Sequence, residues 1–342
     1  MHTKEIRDVQ ACPNGELLLT AGLDKTLRIS SLTTNAVVQT FRLPAASWAC
    51  AWNSTQPVHI YCGLANNNIL LFDMRYPTHF VEELQSEATC PIVSLQEYSV
   101  GGQWGLLSCD LKGVSFWEIS TQSDAKQHRL SQLDGVCTSL STAGLNGKVL
   151  CSYRPSKACN VTRHVVFSLQ RRNIDDNDDD DDDDDDDDEE EDGDGTAVEV
   201  QQAETGETPS SAPRNTTSSS SGSSIGGGSE GRRRSHLSSV TNASRDIQCT
   251  IDRQLLGGPQ QTKLARSCIL SHPRGFGNLV CASNEANQSA LLWDASTGDV
   301  YQEVKRDRCK LPYVAFADVT PEQNSRSLAA LADGTLEILN WS

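Results

Sequence analysis

The sequence predicts an all-β fold, a WD-repeat β-propeller with six recognisable blades, the last of them incomplete. Three observations predict it. A strand closing on an aromatic and then an acidic or polar residue recurs, as in NILLFDMR ending at Arg75, GVSFWEIS ending at Ser120 and SALLWDASTG ending at Gly298. The positions matching the Trp of a Trp-Asp pair are Ser30, Phe72, Trp117, Phe167, Trp293 and Leu339, at intervals of 42, 45, 50, 126 and 46 residues. The long interval falls to 54 once a 72-residue low-complexity window is removed. Four short strands per unit of roughly 40–45 residues is the signature of a propeller blade. A β-sandwich would use similar strands but does not explain repetition at this period.

The strands follow in order. The first unit reads IRDVQACP, LLLTAGL, TLRISSL and AVVQTFRL; the second reads SWACAWN, VHIYCGLA, ILLFDMR and HFVEELQ. The third has PIVSLQEY, WGLLSCD, GVSFWEIS and a weaker HRLSQL; the fourth has GVCTSLS, KVLCSYR, VTRHVVFSLQ and, beyond an interruption, IQCTIDRQLL. The fifth has LARSCILS, NLVCASN, SALLWDAS and DVYQEVK, and the sixth has PYVAFADV, SLAALAD and TLEILNW. Alternation of Val, Ile, Leu and Thr with polar residues puts every second side chain on one face, and Gly, Asn and Asp cut the runs into hairpins. Asp24 in LDKT and Asp333 in ADGT are turn formers between strands, and Asn66 and Asp110 occupy comparable places. His2, four residues before Ile6, stands where a WD repeat carries a histidine that braces the blade.

The interruption runs from Asp175 to Asp246, so the chain divides into residues 1–174 (blades one to three and part of four), the insertion 175–246, and residues 247–342 (the rest of blade four and blades five and six). It opens with 18 carboxylates between Asp175 and Asp194, continues through SSSSGSSIGGGS and carries Arg232 to Arg234. With almost no apolar residues to offset chain entropy, it is expected to be disordered. A sheet tolerates such a loop between two strands because closure entropy grows slowly with length.

The net charge of −17 is concentrated in this insertion, which holds 23 acids and 5 arginines; the remainder has 23 acids and 24 bases. A nearly neutral body argues against the electropositive footprint of a nucleic-acid binder. The 12 cysteines include no C-x-x-C spacing, and most lie in apolar runs, as Cys50, Cys62, Cys109 and Cys281 do. They read as reduced, buried thiols, which fits a reducing compartment. No export signal and no bilayer-length apolar run is evident, so membrane association is not expected. Phosphate-binding glycine loops, a nucleophile elbow and zinc-ligand spacings are likewise not found, so no catalytic residue, metal site or cofactor is expected in this chain.

Particular strings go beyond a generic repeat: MHTKEIRDVQACP, LLLTAGLDKTLRISSLTTNAVVQTF, WACAW, IYCGLANNNILLFDMR, CPIVSL, GVSFWE, SYRPSK, LLGGPQQTKL and EANQSALLWDASTG. On these the chain resembles the C-terminal WD-repeat domain of the RING-finger and WD-repeat E3 ubiquitin ligases, which act on replication protein A in DNA interstrand-crosslink repair. The resemblance implies a seventh blade upstream of the position of Met1, and a RING with its zinc, absent from these residues. It also implies a division of labour in which the RING recruits the E2 enzyme and the propeller selects replication protein A and holds the ligase on chromatin, in the nucleus and also the cytoplasm.

Propellers bind partners through the loops before each first strand and between second and third strands. Those loops hold Lys25, Trp48, Asn66, Lys112, Arg154 and Lys157, and SYRPSK adds Tyr153; exposed Trp, Tyr and Arg are frequent anchors of interfaces. Trp48 reads equally as a core residue. A competing function is a scaffold whose tract Asp175–Asp194 docks histones or other basic partners.

Overall fold

The computed structural model describes residues 2–86, 88–120, 125–172, 247–272, 277–305, 312–319, 327–332 and 334–340. Each predicted unit is one antiparallel sheet whose strands neighbour each other in chain order. Blade one is β1 (Ile6–Ala11), β2 (Leu17–Gly22), β3 (Thr26–Ser31) and β4 (Ala36–Arg42). Blade two is β5 (Ser47–Trp52), β6 (His59–Leu64), β7 (Ile69–Asp73) and β8 (Glu82–Leu84). Blade three is β9 (Ser94–Val100), β10 (Gln103–Asp110), β11 (Gly113–Glu118) and β12 (Lys126–Leu130), followed by a single 3-10 turn at Ser131–Leu133. Blade four is β13 (Cys137–Thr142), β14 (Val149–Tyr153), β15 (Arg163–Arg171) and β16 (Ile247–Leu256). Blade five is β17 (Cys268–Ser271), β18 (Asn278–Asn284), β19 (Ser289–Asp294) and β20 (Val300–Lys305). Blade six has three described strands, β21 (Ala315–Val319), β22 (Ser327–Ala332) and β23 (Thr335–Asn340).

The six positions aligned with Trp of the Trp-Asp pair all fall on third strands: β3, β7, β11, β15, β19 and β23. The insertion and the turn residue Asp333 lie outside the described residues. The strands flanking the insertion pair directly, with Arg171 opposite Ile247. Two strands are about half as long as their sequence suggests. LARSCILS yields the four residues of β17. HFVEELQ yields only the three residues of β8, of which Leu84 is the one that reaches the core, while Phe80 and Val81 ahead of it stay exposed.

Stacked sheets bury their facing sides in a series of separate cores. Leu19, Leu27, Ile29 and Phe41 of blade one meet Cys50, Ile60, Cys62 and Phe72 of blade two. Tyr61, Ile69 and Leu71 then meet Leu95, Leu106 and Trp117 of blade three. Further clusters join blades three and four around Phe116 and Phe167, four and five around Val166 and Trp293, and five and six around Leu292 and Leu328. Burial of each Leu, Ile or Phe contributes about 1.5–3 kcal/mol. Among the described residues no such cluster joins blade six to blade one, and the side of blade six turned away from blade five leaves Leu336 and Ile338 exposed. Buried cysteines, Cys50, Cys62, Cys109 and Cys281 among them, sit in these cores as free thiols that serve as small apolar residues. No helix of the described residues is long and apolar enough to cross a membrane.

Buried polar groups tie strands within a blade. Trp117 Nε1 donates to Ser108 Oγ at 2.9 Å, and His164 Nδ1 lies 2.9 Å from Ser152 Oγ. Gly105 is required where it stands, since a Cβ there would overlap the Trp117 carbonyl across the hairpin.

Candidate partner-binding face

The turns between second and third strands and the links into first strands lie at one end of the blades, bonded to each other backbone to backbone. Leu23 N donates to Glu5 O at 2.9 Å, Leu43 N to Lys25 O at 3.0 Å and Ala65 N to Ala46 O at 2.9 Å. Gly135 N donates to Lys112 O at 2.9 Å, Arg154 N to Val136 O at 3.1 Å and Thr162 N to Gly258 O at 2.8 Å. The chain leaves β15 for the insertion at the opposite end.

Acidic side chains hold these turns. His2 Nδ1 is 2.9 Å from Asp24 Oδ1 and His2 Nε2 is 2.9 Å from Thr20 Oγ1, the brace expected of this histidine. Thr26 Oγ1 and Thr3 N donate to the same carboxylate at 2.7 and 2.9 Å. Burial works to raise the Asp24 carboxyl, but the bonds from Thr26 and His2 outweigh it and leave it well below the usual carboxylate range. In blade three Asp110 Oδ1 accepts the N–H groups of Lys112 and Gly113 at 2.7 and 3.0 Å, and its other oxygen accepts from Asn67 Nδ2 at 3.1 Å. Glu285 accepts from Thr262 N at 2.6 Å and Lys263 N at 2.8 Å.

Inside this ring of turns, the starts of the first strands line a cavity of about 520 Å³ that includes Arg7, Asp8, Trp48, Thr138, Lys263 and Arg266. Arg266 spans it: Nη2 lies 3.3 Å from Asp8 Oδ1 and donates to Arg7 O at 3.1 Å and Val93 O at 3.5 Å, linking blade five to blades one and three. Asp8 is buried and accepts Cys50 N at 2.9 Å; burial raises its carboxyl against the pull of Arg266 and the Cys50 and Val9 amides. The Arg7 guanidinium stacks 4.5 Å over Trp48, and its buried Nε has no hydrogen-bond partner. Burial depresses Arg7, and Arg266 nearby adds to this, with Glu5 opposing.

The residues singled out from sequence are distributed over successive blades. Lys25 is exposed with φ +60° and donates to Pro44 O at 3.2 Å. Lys112 and Lys157 are exposed, and Arg154 is half-buried, with Nη2 donating to Thr262 O at 3.4 Å. Trp48 is half-buried and is the one of the seven that lines the cavity. Asn66 is exposed, but the turn-forming role falls to its neighbour: Asn67 has φ +70°, is buried, and donates to Cys90 O at 2.6 Å as well as to Asp110. Tyr153 is corrected. Its ring is 2% exposed, its hydroxyl donates to Leu133 O at 2.8 Å, and Arg163 covers it at 4.5 Å, so it is a core residue with no surface to offer. Arg7, Lys263 and Arg266 were not singled out. Their only sequence signal is a basic residue at or just before a first strand, which does not say that the entries to β1 and β17 converge. Among the described residues no cluster of His, Cys, Asp or Glu is arranged to hold a metal ion.

Comparison with known proteins agrees with this architecture. The family model described as "E3 ubiquitin-protein ligase RFWD3 WD40 domain" matches residues 1–216. The chain is similar along its whole length to E3 ubiquitin-protein ligase RFWD3 of Ailuropoda melanoleuca, with 28% identity over 349 residues, and to that of Mus musculus, also 28%. The Homo sapiens protein is 29% identical over 352 residues. The chain spans 36% of the length of each of these relatives.

Proposed function

This chain belongs to the family of RFWD3 WD40 domains, and from that premise we propose that it is the partner-recognition propeller of a RING-type E3 ubiquitin ligase. The relatives are ligases by name, and the matched part of them is a propeller. In this reading the E2 enzyme is engaged by a zinc-bearing RING outside these residues. The propeller selects replication protein A and keeps the ligase on damaged chromatin in the nucleus, with a cytoplasmic pool also consistent.

The observation that carries the reading is the family match over residues 1–216. The recognition surface is the face that holds Lys25, Lys112, Arg154 and Lys157 around the Trp48 cavity. Co-precipitation of replication protein A with the full ligase that contains this chain tests it. Arg154→Glu should weaken recovery about tenfold, as truncation or reversal of an interface arginine does. Undiminished recovery would remove this face from the reading, and no recovery with the unmutated protein would remove replication protein A.

A second reading rests on the 18 carboxylates between Asp175 and Asp194. Such a tract docks basic tails, histones among them. Deleting residues 175–246 separates the two: salt-sensitive histone binding is lost with the tract, whereas binding of replication protein A through the loop face persists.

A further inference from the structure

We propose that this face binds an acidic, extended peptide segment of the partner, its carboxylates held by Lys25, Lys112, Arg154, Lys157 and Lys263 around the mouth of the central cavity. The proposal rests on the recognition reading above and adds the chemistry of the partner.

It follows from how charge is committed on this face. The described acids of these turns are all engaged internally. Asp24 is taken by His2, Thr3, Thr26 and Arg28; Asp110 by Asn67, Arg129 and two backbone amides; Asp134 by Arg129 at 3.1 Å; Glu5 by Arg7 at 3.6 Å; Glu285 by the 262–263 backbone. None of these acids takes the side chain of Lys25, Lys112, Arg154, Lys157 or Lys263. Lys25 and Arg154 donate only to the carbonyls of Pro44 and Thr262. Each of these carboxylates keeps its charge, and Glu5 and Asp134 stay exposed, but they lie against their own turns, whereas Lys25, Lys112, Lys157 and Lys263 are exposed and make no ion pair among the described residues, so the described rim presents these cations to a partner. Their field is local, and it steers a short acidic segment rather than a long polyanion.

The cavity deepens the argument. Its mouth gathers Arg7, Lys263 and Arg266, and buried Asp8 already faces Arg266. Arg7 keeps a buried Nε without a partner. A carboxylate entering the mouth would meet the cationic side chains of Arg7, Lys263 and Arg266. Nucleic acid fits less well. The lysines stand on separate turns of blades one, three, four and five rather than along one groove, and the Trp48 ring is covered by Arg7 at 4.5 Å, which removes a stacking face for a base.

The test is fluorescence anisotropy of the full chain with a fluorescein-labelled Glu/Ser peptide, its Lys/Ser counterpart and a labelled single-stranded DNA. The Glu/Ser peptide should bind, more weakly as salt rises, and the Lys/Ser peptide should not bind this face. Lys112→Glu with Lys263→Glu should lower affinity for the acidic peptide about tenfold or more. Lys112→Arg with Lys263→Arg should retain it, and Lys148→Glu with Arg172→Glu, at the opposite end of the blades, should leave it within about twofold. All four positions reach the surface; the rim variants should leave the circular-dichroism melt unchanged, and Lys148→Glu, which loses its 2.8 Å pair with Asp252, should lower it slightly. The proposal is overturned if the acidic peptide does not bind, if the two charge-reversed pairs lose affinity equally, or if DNA binds more tightly and is lost by the rim pair. If the acidic peptide fails while replication protein A is still recovered with the ligase, recognition stands and only the acidic chemistry falls. If the peptide binds this rim and replication protein A is not recovered, the partner's name is wrong and the site stands.

Discussion

His164 should make the propeller acid-sensitive in a defined window. It lies on β15 at 2% exposure, with Nδ1 against Ser152 Oγ at 2.9 Å, its ring 5.4 Å from that of Trp293, and Nε2 buried without a partner. Burial pushes the imidazole down from 6.5 to about 4. The folded chain therefore keeps this ring neutral, while the unfolded chain protonates it as pH falls below 6.5. Stability from the neutral ring is fully present above pH 6.5 and is lost progressively as pH falls toward 4. At ~1.4 kcal/mol per pH unit the complete loss is about 3 kcal/mol.

That is a sizeable part of the 5–15 kcal/mol typical of a domain, roughly. The assay is urea unfolding followed by tryptophan fluorescence from neutral pH down to about 4.5, for the native chain and for His164→Phe. Phe keeps the aromatic packing on Trp293 and cannot take a proton. Other groups titrate in this range in both proteins, so the difference between the two curves is what counts. The native chain should lose about 2–3 kcal/mol more than the variant over that interval. Parallel curves would refute the reasoning, because they would mean that His164 binds its proton in the folded state as readily as in water.

Three further outcomes follow from buried contacts. Asp24→Ala strands His2 and Thr26, and should cost about 1–3 kcal/mol in urea unfolding. Phe167→Ala empties a fully buried ring from the core between blades three and four and should cost about 3–5 kcal/mol, seen as a lower thermal midpoint. Arg266→Met leaves Asp8 buried without its cation and should cost about 3–5 kcal/mol at neutral pH. Adding Asp8→Asn should restore part of that loss, and so should acid, since an isolated buried carboxylate takes up a proton; a loss independent of both would exclude the ion pair as its cause.

The repeat was legible because it is written in covalent order. Ser30, Phe72, Trp117, Phe167, Trp293 and Leu339 land on equivalent strands, although only two of them are Trp, because alternation and turn spacing fix the register without the signature residue. Local turn chemistry was legible too: Asp24 and Asp110 hold turns as expected. Asn66 and Asn67 were not separable, since either can adopt a positive φ and only the neighbouring blade's Asp110 selects the second. Tyr153 ends β14, and whether a strand-end tyrosine faces core or solvent depends on Leu133 and Arg163, which come from outside its own strand. Arg266 reaches Asp8 across 258 positions of chain, a pairing that no local pattern encodes.

On the proposed reading the same turns do two things with different residues. Carboxylates at Asp24, Asp110 and Glu285 spend their acceptor capacity on backbone amides and nearby donors, which fixes the loops and leaves the lysines beside them in solvent. Replacing a bracing acid loosens a blade, whereas replacing an exposed lysine leaves the fold intact and changes only the field above it. If the proposed rim is the recognition surface, stability and recognition separate within single turns: Asp110 and Lys112 are two residues apart, and removing the first should shift the unfolding midpoint while reversing the second should shift only binding. A rim in which both substitutions moved the same observable would not be a recognition surface carried by a rigid frame, but part of the frame itself.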